Sequence, residues 1–381
     1  MYLNIGICLI NNYILYIIRM SILNTIIYLV GLFLFITLFI LCMRRSIQYR
    51  NIFKNKPVEA MTVTDPLYKK IMSEIHKISL PNIDGPYQSV IQTAMPLKQY
   101  CIKASANSAY SGGFISDEMI KYVLSRGCRF LDFEVFYLPK NEKETKFVPF
   151  VGYSNDGASP HSQSNNNVEL SVLLKTAFTN AFLTKTSEQY KTTNIDDPLF
   201  LHFRLRGSKK EELYDSIQTV LESFQANETF KSYFITSPIT ASTPISKILK
   251  KCVFIFDFEP TTKGYYHQMS SNTNQLEKVN YSQINTREYT KTPPSTLSST
   301  EVEVYRYKYT VPNYNRFFQK NVNIFSAIRN YGIQINLMQY YINDIELQKG
   351  EELFNELQSG VVPMSYCISF IDSVADESEL L

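Results

Sequence analysis

The segment Ser125-Arg-Gly-Cys-Arg-Phe-Leu-Asp-Phe-Glu-Val135 predicts the end of a helix, a turn and then a strand. Gly127 stands where the end of such a helix favours a left-handed residue. In the strand that follows, the apolar side chains are interrupted only by Asp132 and Glu134. Residues two positions apart point to the same side of a strand, and an unpaired buried charge costs several kcal/mol. We therefore expect a metal ion or a basic side chain beside both acids; the alternative is an exposed edge strand with a polar face.

The composition limits the functions that are open to this chain of 381 residues. Its length suits one large domain with an anchor, or two domains. The net charge of +3 is nearly balanced, so we expect no nucleic acid among its partners. Abundant Asn, Ile and Lys, with 27 Tyr and 25 Phe but no Trp, are typical of an AT-rich genome such as that of a large DNA virus or a protist. The six cysteines form no CxxC pair, which indicates reduced thiols and a reducing compartment.

Residues 22–43 form an apolar run without charge that is long enough to cross a bilayer. We predict a single transmembrane helix there, after a hydrophobic extension at 1–21. The extension is compatible with a poorer first span, an interfacial helix or a translation start at Met20. The run is followed by Arg44, Arg45, Arg50, Lys54 and Lys56 and preceded by Arg19 alone. The positive-inside rule then predicts a single-pass membrane protein whose C-terminal domain lies on the cytoplasmic or virion-interior side, with a basic flank that binds anionic lipid or serves only as a stop-transfer signal.

Short apolar strands alternate with helical patterns over most of the remaining chain. Candidate strands span 100–105, 129–137, 147–152, 198–205, 252–258, 302–309, 333–338 and 365–371. Candidate helices span 116–125, 168–182, 208–224, 241–250, 322–331 and 346–358. This alternation predicts an α/β fold with a parallel sheet covered by helices. Eight strand candidates favour a (β/α)8 TIM-type barrel, with an open doubly wound sheet as the alternative.

One segment interrupts this alternation. Residues 263–300 are rich in Ser, Thr, Asn and Gln and have no apolar period, so we expect a disordered linker there. The predicted divisions after the span are a basic juxtamembrane segment and tether (44–92), a first half-barrel (93–262), the linker (263–300), a second half-barrel (301–372) and an acidic tail (373–381). The tail resembles an acidic dileucine sorting signal.

Four segments are similar, in the same order, to motifs of one enzyme family. They are Ala104-Ser-Ala-Asn-Ser-Ala-Tyr-Ser-Gly112, Leu124-Ser-Arg-Gly-Cys-Arg-Phe-Leu-Asp-Phe-Glu134, Asp197-Pro-Leu-Phe-Leu-His-Phe-Arg204 and Gly332-Ile-Gln-Ile-Asn-Leu-Met-Gln339. Over residues 93–372 the chain resembles the catalytic barrel of phosphatidylinositol-specific phospholipase C. The predicted linker falls where that family joins its X and Y halves. The resemblance implies a barrel of the phospholipase C-like phosphodiesterase kind.

The resemblance also implies a catalytic site, most of which is replaced in this chain. In the family, two histidines act as general acid and base, and their positions hold Ala106 and Tyr153. The strand that supplies phosphate-binding lysines in the family offers Phe256 and Phe258. Acid–base catalysis contributes about 10² to 10⁴-fold per positioned group. These replacements therefore predict a member of the family that has lost hydrolysis.

The family's calcium ligands are an Asn, a Glu, an Asp and a second Glu. Asn107, Asp132 and Glu134 correspond to the first three, with the two acids exchanged in length, whereas the last position holds Arg204. We hypothesise that the Arg204 guanidinium pairs with one or both acids in the space that the family gives to calcium. We therefore expect no cofactor, and calcium only if the protein is active. Some bacterial relatives use an Arg in place of the metal and remain active, but they keep both histidines.

Two other histidines are candidates for a substitute acid or base. His202 precedes Arg204 by two residues and so faces the same side one layer deeper, where a barrel-filling role is the simpler interpretation. His161 lies in a loop rich in Ser and Asn at 159–167 that would overhang the mouth of the barrel.

The sequence therefore predicts a membrane-anchored pseudoenzyme that acts as a scaffold, a binding protein or a virion structural protein. Its expected partners are the membrane, a phospholipid head group, or other membrane or virion proteins. One alternative is an active phosphoric diester hydrolase with a rearranged site. Another is a binder of phosphoinositide head groups without turnover, against which Phe256 and Phe258 argue because phosphates require cations.

Overall fold

The chain divides into two compact units, Met1–Asn55 and Lys56–Leu381. The computed structural model describes residues 27–41, 43, 65–81, 85–88, 94–140, 146–154, 163–183, 190–235, 237–261, 264, 266–270, 276–280, 307–312 and 320–379.

In the first unit the described residues, 27–41 and 43, are helical, and their large apolar side chains are exposed. The rest of the predicted span 22–43 and the whole extension 1–21 lie outside the described residues. Among the residues that the structure covers, no helix has the combination of length and hydropathy that a membrane span requires. The single-pass topology therefore stays a prediction.

The second unit is built on one sheet of eleven strands. In chain order they are β1 (Tyr100–Ser105), β2 (Phe130–Pro139), β3 (Phe147–Gly152), β4 (Val168–Glu169), β5 (Leu199–Leu205), β6 (Cys252–Phe256), β7 (Met269–Ser270), β8 (Leu276–Asn280), β9 (Tyr307–Val311), β10 (Ile335–Met338) and β11 (Val361–Pro363).

Eight of these strands form a continuous parallel path in the order β7-β6-β5-β2-β1-β10-β9-β8. The order follows the chain around a ring, because β10 returns to pair with β1. Within the described ranges no pairing joins β7 to β8, so a closed barrel is not shown. The predicted α/β fold with a parallel sheet is confirmed, and closure into a (β/α)8 barrel remains a prediction.

Seven α-helices lie in the described residues of this unit. They are α1 (Pro66–His76), α2 (Asp117–Ser125), α3 (Leu170–Phe182), α4 (Lys210–Gln225), α5 (Ile324–Tyr331), α6 (Ile345–Glu356) and α7 (Met364–Glu379). Ser116 caps α2 as its sequence predicts, because its hydroxyl accepts a hydrogen bond from the Met119 amide at 3.2 Å. α4 packs against β2, β3 and β5, and α7 packs against β1 and β11.

Three predictions about secondary structure are wrong. The predicted helix 241–250 consists of turns and one short 3-10 helix, Ile245–Lys247. The predicted strand 365–371 lies within helix α7, where Cys367 and Ile371 are buried one helical turn apart. The prediction of a disordered linker over 263–300 is wrong for β7 and β8, which pair in parallel with β6 and β9, and residues 281–300 lie outside the described residues. Few apolar side chains are enough for these strands, because Met269, Leu276 and Val279 supply their buried contacts among otherwise polar residues.

The period of two along the parallel strands creates the core and also positions the site. Alternate strand residues form one buried cluster on the side of the sheet away from the helices; it includes Ile102, Ala104, Phe130, Phe200, Val253, Ile255, Tyr307, Tyr309, Ile335 and Leu337. Two residues beyond Phe130 lies Asp132, and two beyond Phe200 lies His202. The strands therefore bring their polar residues to the same inner side, at their C-terminal ends.

A buried ionic cluster joins the first and last parts of this unit. On β1, the Lys103 ammonium lies 2.9 Å from Glu351 of α6, and the Arg126 Nε donates to the other oxygen of Glu351 at 2.8 Å. The Tyr340 hydroxyl donates to the same carboxylate at 2.6 Å. Burial alone would raise the pKa of Glu351, but Lys103 and Arg126 outweigh it and lower the pKa. The carboxylate is therefore charged and binds both cations.

Candidate functional site

Asp132 and Glu134 lie on the inner side of β2 and are almost completely buried. The parallel register between β2 and β5 pairs Asp132 with His202 and Glu134 with Arg204. Each acid therefore has a basic or titratable side chain directly beside it on the next strand. This adjacency results from strand pairing alone, because inward-facing residues in register on neighbouring strands are in contact.

The Arg204 guanidinium contacts three of the predicted site residues. Its Nε and Nη2 donate to the two carboxylate oxygens of Asp132, both at 2.8 Å. Its Nη1 donates to Glu134 Oε1 at 2.5 Å, and Nη2 donates also to Asn107 Oδ1 at 2.6 Å. The structure thus brings together all four residues at which the sequence predicts an ion-pair or metal site. Two-point contact with a carboxylate is the geometry for which a guanidinium is best suited.

The carboxylate oxygens of Asp132 and Glu134 also have further hydrogen-bond partners. Asp132 Oδ1 lies 2.8 Å from His202 Nδ1, and Oδ2 accepts the Asn107 amide at 3.0 Å. Glu134 Oε2 accepts the Ser154 amide at 2.8 Å. Burial alone would raise the pKa of Asp132, but Arg204 and His202 outweigh it and hold the pKa well below its usual range. Asp132 is therefore an anion at every physiological pH.

A calcium ion does not fit this arrangement of donors. The oxygens of Asn107, Asp132 and Glu134 that would serve as ligands point at the Arg204 guanidinium and are already hydrogen-bonded to it. Calcium requires six to eight oxygen ligands, and a positive guanidinium in their midst would repel the ion. In the part of the chain that the structure describes, no group of three or more His, Cys, Asp or Glu residues is arranged to hold a metal.

The two positions at which the resemblance implies catalytic histidines hold side chains without acid–base function near neutral pH. Ala106 has only a buried methyl group. Tyr153 is buried against Tyr110, with ring centroids 4.7 Å apart, and against Tyr341, with centroids 5.8 Å apart. The Tyr341 hydroxyl donates to that of Tyr153 at 3.3 Å. A phenol ordinarily loses its proton near pH 10, so Tyr153 is a poor general base at neutral pH.

Of the two histidines that could replace the missing acid or base, only His202 is among the described residues. His161 lies outside the described residues. His202 is 1% exposed, with its ring centroid 5.8 Å from that of Phe130 and 5.3 Å from that of Tyr309. Its Nε2 has no hydrogen-bond partner among the described atoms. His202 therefore lies one layer below the guanidinium, where a substrate in the mouth would not contact it.

Among solved structures, PLC21 of L. pealei is similar to this chain at 12% identity with a TM-score of 0.50, over 84% of this chain and 47% of that chain. The chain has a phospholipase C-like fold. PLC21 of S. officinalis is similar at 13% identity with a TM-score of 0.49, over 73% of this chain and 38% of that chain. A calcium-dependent phosphoinositol-specific phospholipase C from Pseudomonas sp. aligns at 10% identity with a TM-score of 0.29, over 74% of this chain and 84% of that chain.

These comparisons concern the fold alone. No family model matches the sequence, and no curated protein matches it. The chain spans less than half the length of either PLC21 chain. The functional conclusions therefore depend on the geometry of its own residues.

Within this phospholipase C-like fold, Phe256 and Phe258 do not face the site, which corrects the sequence prediction. Phe256 packs against Tyr214 of α4 at a centroid distance of 5.0 Å and stacks on His267 at 5.5 Å. Phe258 lies 6.5 Å from the same Tyr214. Because successive residues of a strand point to opposite sides, Phe256 and Phe258 belong to the helix-facing side. Ile255 is on the inner side instead.

Sequence reasoning missed three charged residues near the acids. Arg206 Nη2 lies 3.3 Å from Glu134 and its Nη1 lies 3.4 Å from Asp257. Asp257 also accepts the Leu205 amide at 2.8 Å. Lys278 lies on β8, which was predicted as linker, and is exposed. Arg206 continues the period of two along β5, and Asp257 continues it along β6. This period is the signal that could have identified these two residues.

Lys278 interacts electrostatically with the charges of the site. Partial desolvation lowers the pKa of Lys278, Asp257 raises it, and the nearby cations Arg204 and Arg206 lower it again. Asp132 raises it as well, so acids and cations of the site act on the Lys278 ammonium together. The cations Arg204, Arg206 and Lys278 are thus balanced by the acids Asp132, Glu134 and Asp257, and of these cations Lys278 is the exposed one.

Proposed function

We propose that this chain is a membrane-anchored phospholipase C-like protein that does not hydrolyse phosphodiesters. It acts through binding, as a scaffold or as a structural protein of a membrane or virion. The observation that carries the proposal is the Arg204 guanidinium, which holds Asn107, Asp132 and Glu134 by hydrogen bonds of 2.5–2.8 Å. A side chain of the protein itself takes the interactions that a catalytic metal would need.

The loss of acid–base groups supports the same conclusion independently. Ala106 has no proton to transfer, and Tyr153 is buried with its ring packed against Tyr110. Because each positioned acid or base contributes about 10² to 10⁴-fold, the absence of both removes most of the rate enhancement. The rings of Tyr110, Tyr153 and Tyr341 also pack against one another, and the Tyr110 amide donates to the Asn107 carbonyl at 2.8 Å.

The membrane part of the proposal comes from the sequence. The uncharged run 22–43 and the arginines and lysines that follow it support a single span with the second unit on the cytoplasmic or virion-interior side. A barrel mouth that binds without turnover would then act close to a lipid surface. Phospholipid head groups and other membrane or virion proteins are the proposed partners.

The first prediction concerns turnover. We expect the purified full-length chain in mixed micelles to release no inositol phosphate from phosphatidylinositol above the rate without enzyme, with or without calcium. The reason is the combined loss of both proton-transfer groups and of the metal ligands. A radiolabelled head-group assay, with an active phospholipase C as the positive control, measures this.

The matched control is the double variant Asp132→Asn/Glu134→Gln, which keeps the shape of the site. Turnover by the wild type that disappears in this variant would overturn the proposal. It would favour an active phosphoric diester hydrolase with a rearranged site. His161 would then be the first residue to substitute.

A second candidate function is recognition of phosphoinositide head groups without turnover. Lys278 and Arg206 favour it, because both are near the mouth and partly exposed to solvent. The objection that Phe256 and Phe258 replace the phosphate-binding lysines does not apply, since both rings pack against Tyr214 on the other side of the sheet. Phosphate oxygens are strong acceptors for such ammonium and guanidinium groups.

For this candidate we expect inositol trisphosphate to bind the full-length chain and Lys278→Gln to weaken that binding about tenfold, as for a lost hydrogen bond to a charged group. Isothermal titration calorimetry measures the affinity. Lys250→Gln is the control, because Lys250 is exposed and pairs with Asp196 at 3.5 Å. Equal affinity of the wild type and the Lys278→Gln variant would contradict the candidate function.

A further inference from the structure

Helix α1 is firmly packed although it lies in the predicted tether. Asp65 caps it, with its Oδ1 accepting the Leu67 amide at 2.9 Å, and Pro66 begins the first turn. Its apolar residues Leu67, Ile71, Met72 and Ile75 follow a helical period and are buried, and the helix packs against α2. This part of the tether is therefore a fixed element of the second unit.

The one acid within α1 is directed at the body of the unit. Glu74 Oε2 accepts hydrogen bonds from the Ser111 hydroxyl at 2.5 Å and from the Gly113 amide at 3.1 Å. Both partners belong to the loop that follows β1, and the same loop carries Asn107 of the site. Glu74 therefore joins α1 to the mouth of the sheet and contributes little charge to the outer side of the helix.

The outer side of α1 carries only basic and neutral residues. The exposed positions Lys69, Lys70, Ser73, His76 and Lys77 recur at intervals of one, three or four residues and form one stripe along the helix. On neighbouring α2, Asp117 and Glu118 pair with Lys121 at 3.4 Å and 2.6 Å. The basic stripe, defined by these four residues of α1 and by Lys77 directly after it, thus contains three lysines and no carboxylate.

We propose that the basic stripe of α1 lies against the anionic phospholipid head groups of the membrane that holds the chain. The proposal rests on the proposed membrane anchor. Its position in the chain favours lipid over another polyanion, because only residues 57–65 separate the helix from the basic flank at 44–56, which directly follows the predicted span. Lysines beside a surface rich in anionic lipid are each attracted to it.

This contact would set the orientation of the site. Because Glu74 binds the loop of Ser111 and Gly113, α1 and the mouth move as one body. A helix held flat on the head groups would therefore present the mouth at a fixed angle to the lipid. A flexible tether without such a contact would allow all orientations.

The experiment measures acetylation of individual lysines by mass spectrometry in the full-length chain. The chain is reconstituted into vesicles of phosphatidylcholine, with and without phosphatidylserine. We expect phosphatidylserine to slow the acetylation of Lys69 and Lys77 roughly fivefold or more, since the attraction per lysine corresponds to about that factor. High salt should abolish the protection. Lys231 and Lys250 are exposed and lie far from α1 in the sequence, so they should be acetylated equally fast in both kinds of vesicle.

Two sets of variants test the assignment. Phosphatidylserine should also protect α1 of the wild type against a protease that does not cleave at lysine, and Lys69→Gln/Lys70→Gln/Lys77→Gln should abolish that protection. The matched triple Lys231→Gln/Lys247→Gln/Lys250→Gln should preserve it. Equal acetylation of the stripe in neutral and anionic vesicles would overturn the proposal. Protection by polyglutamate or by DNA, but not by phosphatidylserine, would also overturn it and identify a different polyanion as the partner.

A separate readout distinguishes this proposal from the anchor. Flotation with vesicles of phosphatidylcholine alone, at high salt, depends on the predicted span and not on the basic stripe. Loss of flotation there with retained protection by phosphatidylserine would overturn the anchor and support the stripe. Flotation without protection by phosphatidylserine would support the anchor and overturn the proposal for the basic stripe.

Discussion

Replacement of Arg204 by Met is expected to lower the free energy of unfolding by about 3–5 kcal/mol at neutral pH, the usual cost of removing one partner from a buried ion pair. Asp132 and Glu134 are almost completely buried, and Arg204 supplies hydrogen bonds to both. Met keeps most of the volume of the side chain but not its charge. The variant would therefore hold two carboxylates without the guanidinium.

The pH dependence of this loss follows from the sign of the pKa shift. In the wild type the folded pKa of Asp132 is lowered, so its stabilisation is present above the unfolded value of about 3.9 and is lost as the pH falls through the lower folded value. Without Arg204, burial would raise the folded pKa above the unfolded one. The variant would then regain stability as the pH falls, and the difference from the wild type should narrow towards about pH 4.

Urea unfolding in mild detergent, followed by circular dichroism, measures both effects. Tyrosine fluorescence gives a second probe, since the chain has 27 Tyr and no Trp. The control is Lys250→Met, which removes an exposed pair with Asp196 at 3.5 Å and should have a small effect. If Arg204→Met lost no more stability than this control, the guanidinium would not be the cation that the acids require.

The second large effect is a gained dependence on calcium in Arg204→Glu. This substitution removes the guanidinium and restores the carboxylate that the resemblance to phosphatidylinositol-specific phospholipase C implies at that position. Asn107, Asp132 and Glu134 already converge there. We expect the variant to be strongly destabilised in chelator and to be stabilised by calcium, by about 2.7 kcal/mol when the free ion is roughly 100 times the dissociation constant.

Thermal unfolding with calcium and with chelator gives the comparison. The wild type should unfold at the same temperature in both, because Arg204 takes the ligand oxygens. Arg204→Gln is the matched control, which should be destabilised and remain indifferent to calcium for lack of the fourth acid. A shift of the wild type with calcium, or an equal shift of the Gln and Glu variants, would refute this account of the site.

The part of the site that could be predicted from sequence is the part fixed by a period of two. Asp132 and Glu134 share a face of β2, and Arg204 lies at the corresponding place on the neighbouring parallel strand. The need for a cation beside buried acids then follows from the cost of desolvation. The resemblance, not this rule, put Phe256 and Phe258 on the site, and both rings pack against Tyr214 instead.

Other features depend on contacts that no local pattern reveals. β7 and β8 are short and mostly polar, and they form because the edges of β6 and β9 supply backbone partners. Lys278 was missed with them. The run 365–371 has enough apolar and β-branched residues for a strand, but burial of Cys367 and Ile371 against the rest of the unit selects a helix.

The first and second halves of the sheet are interlocked, which has a consequence for proteolysis. β1 belongs to the first half but pairs with β10 and β11 of the second, and buried Glu351 binds Lys103 across the same boundary. A nick anywhere in residues 281–306 would therefore leave two fragments that remain associated and migrate as one particle under native conditions. They would separate only in denaturant, so an intact size on a native gel is no evidence of an intact chain.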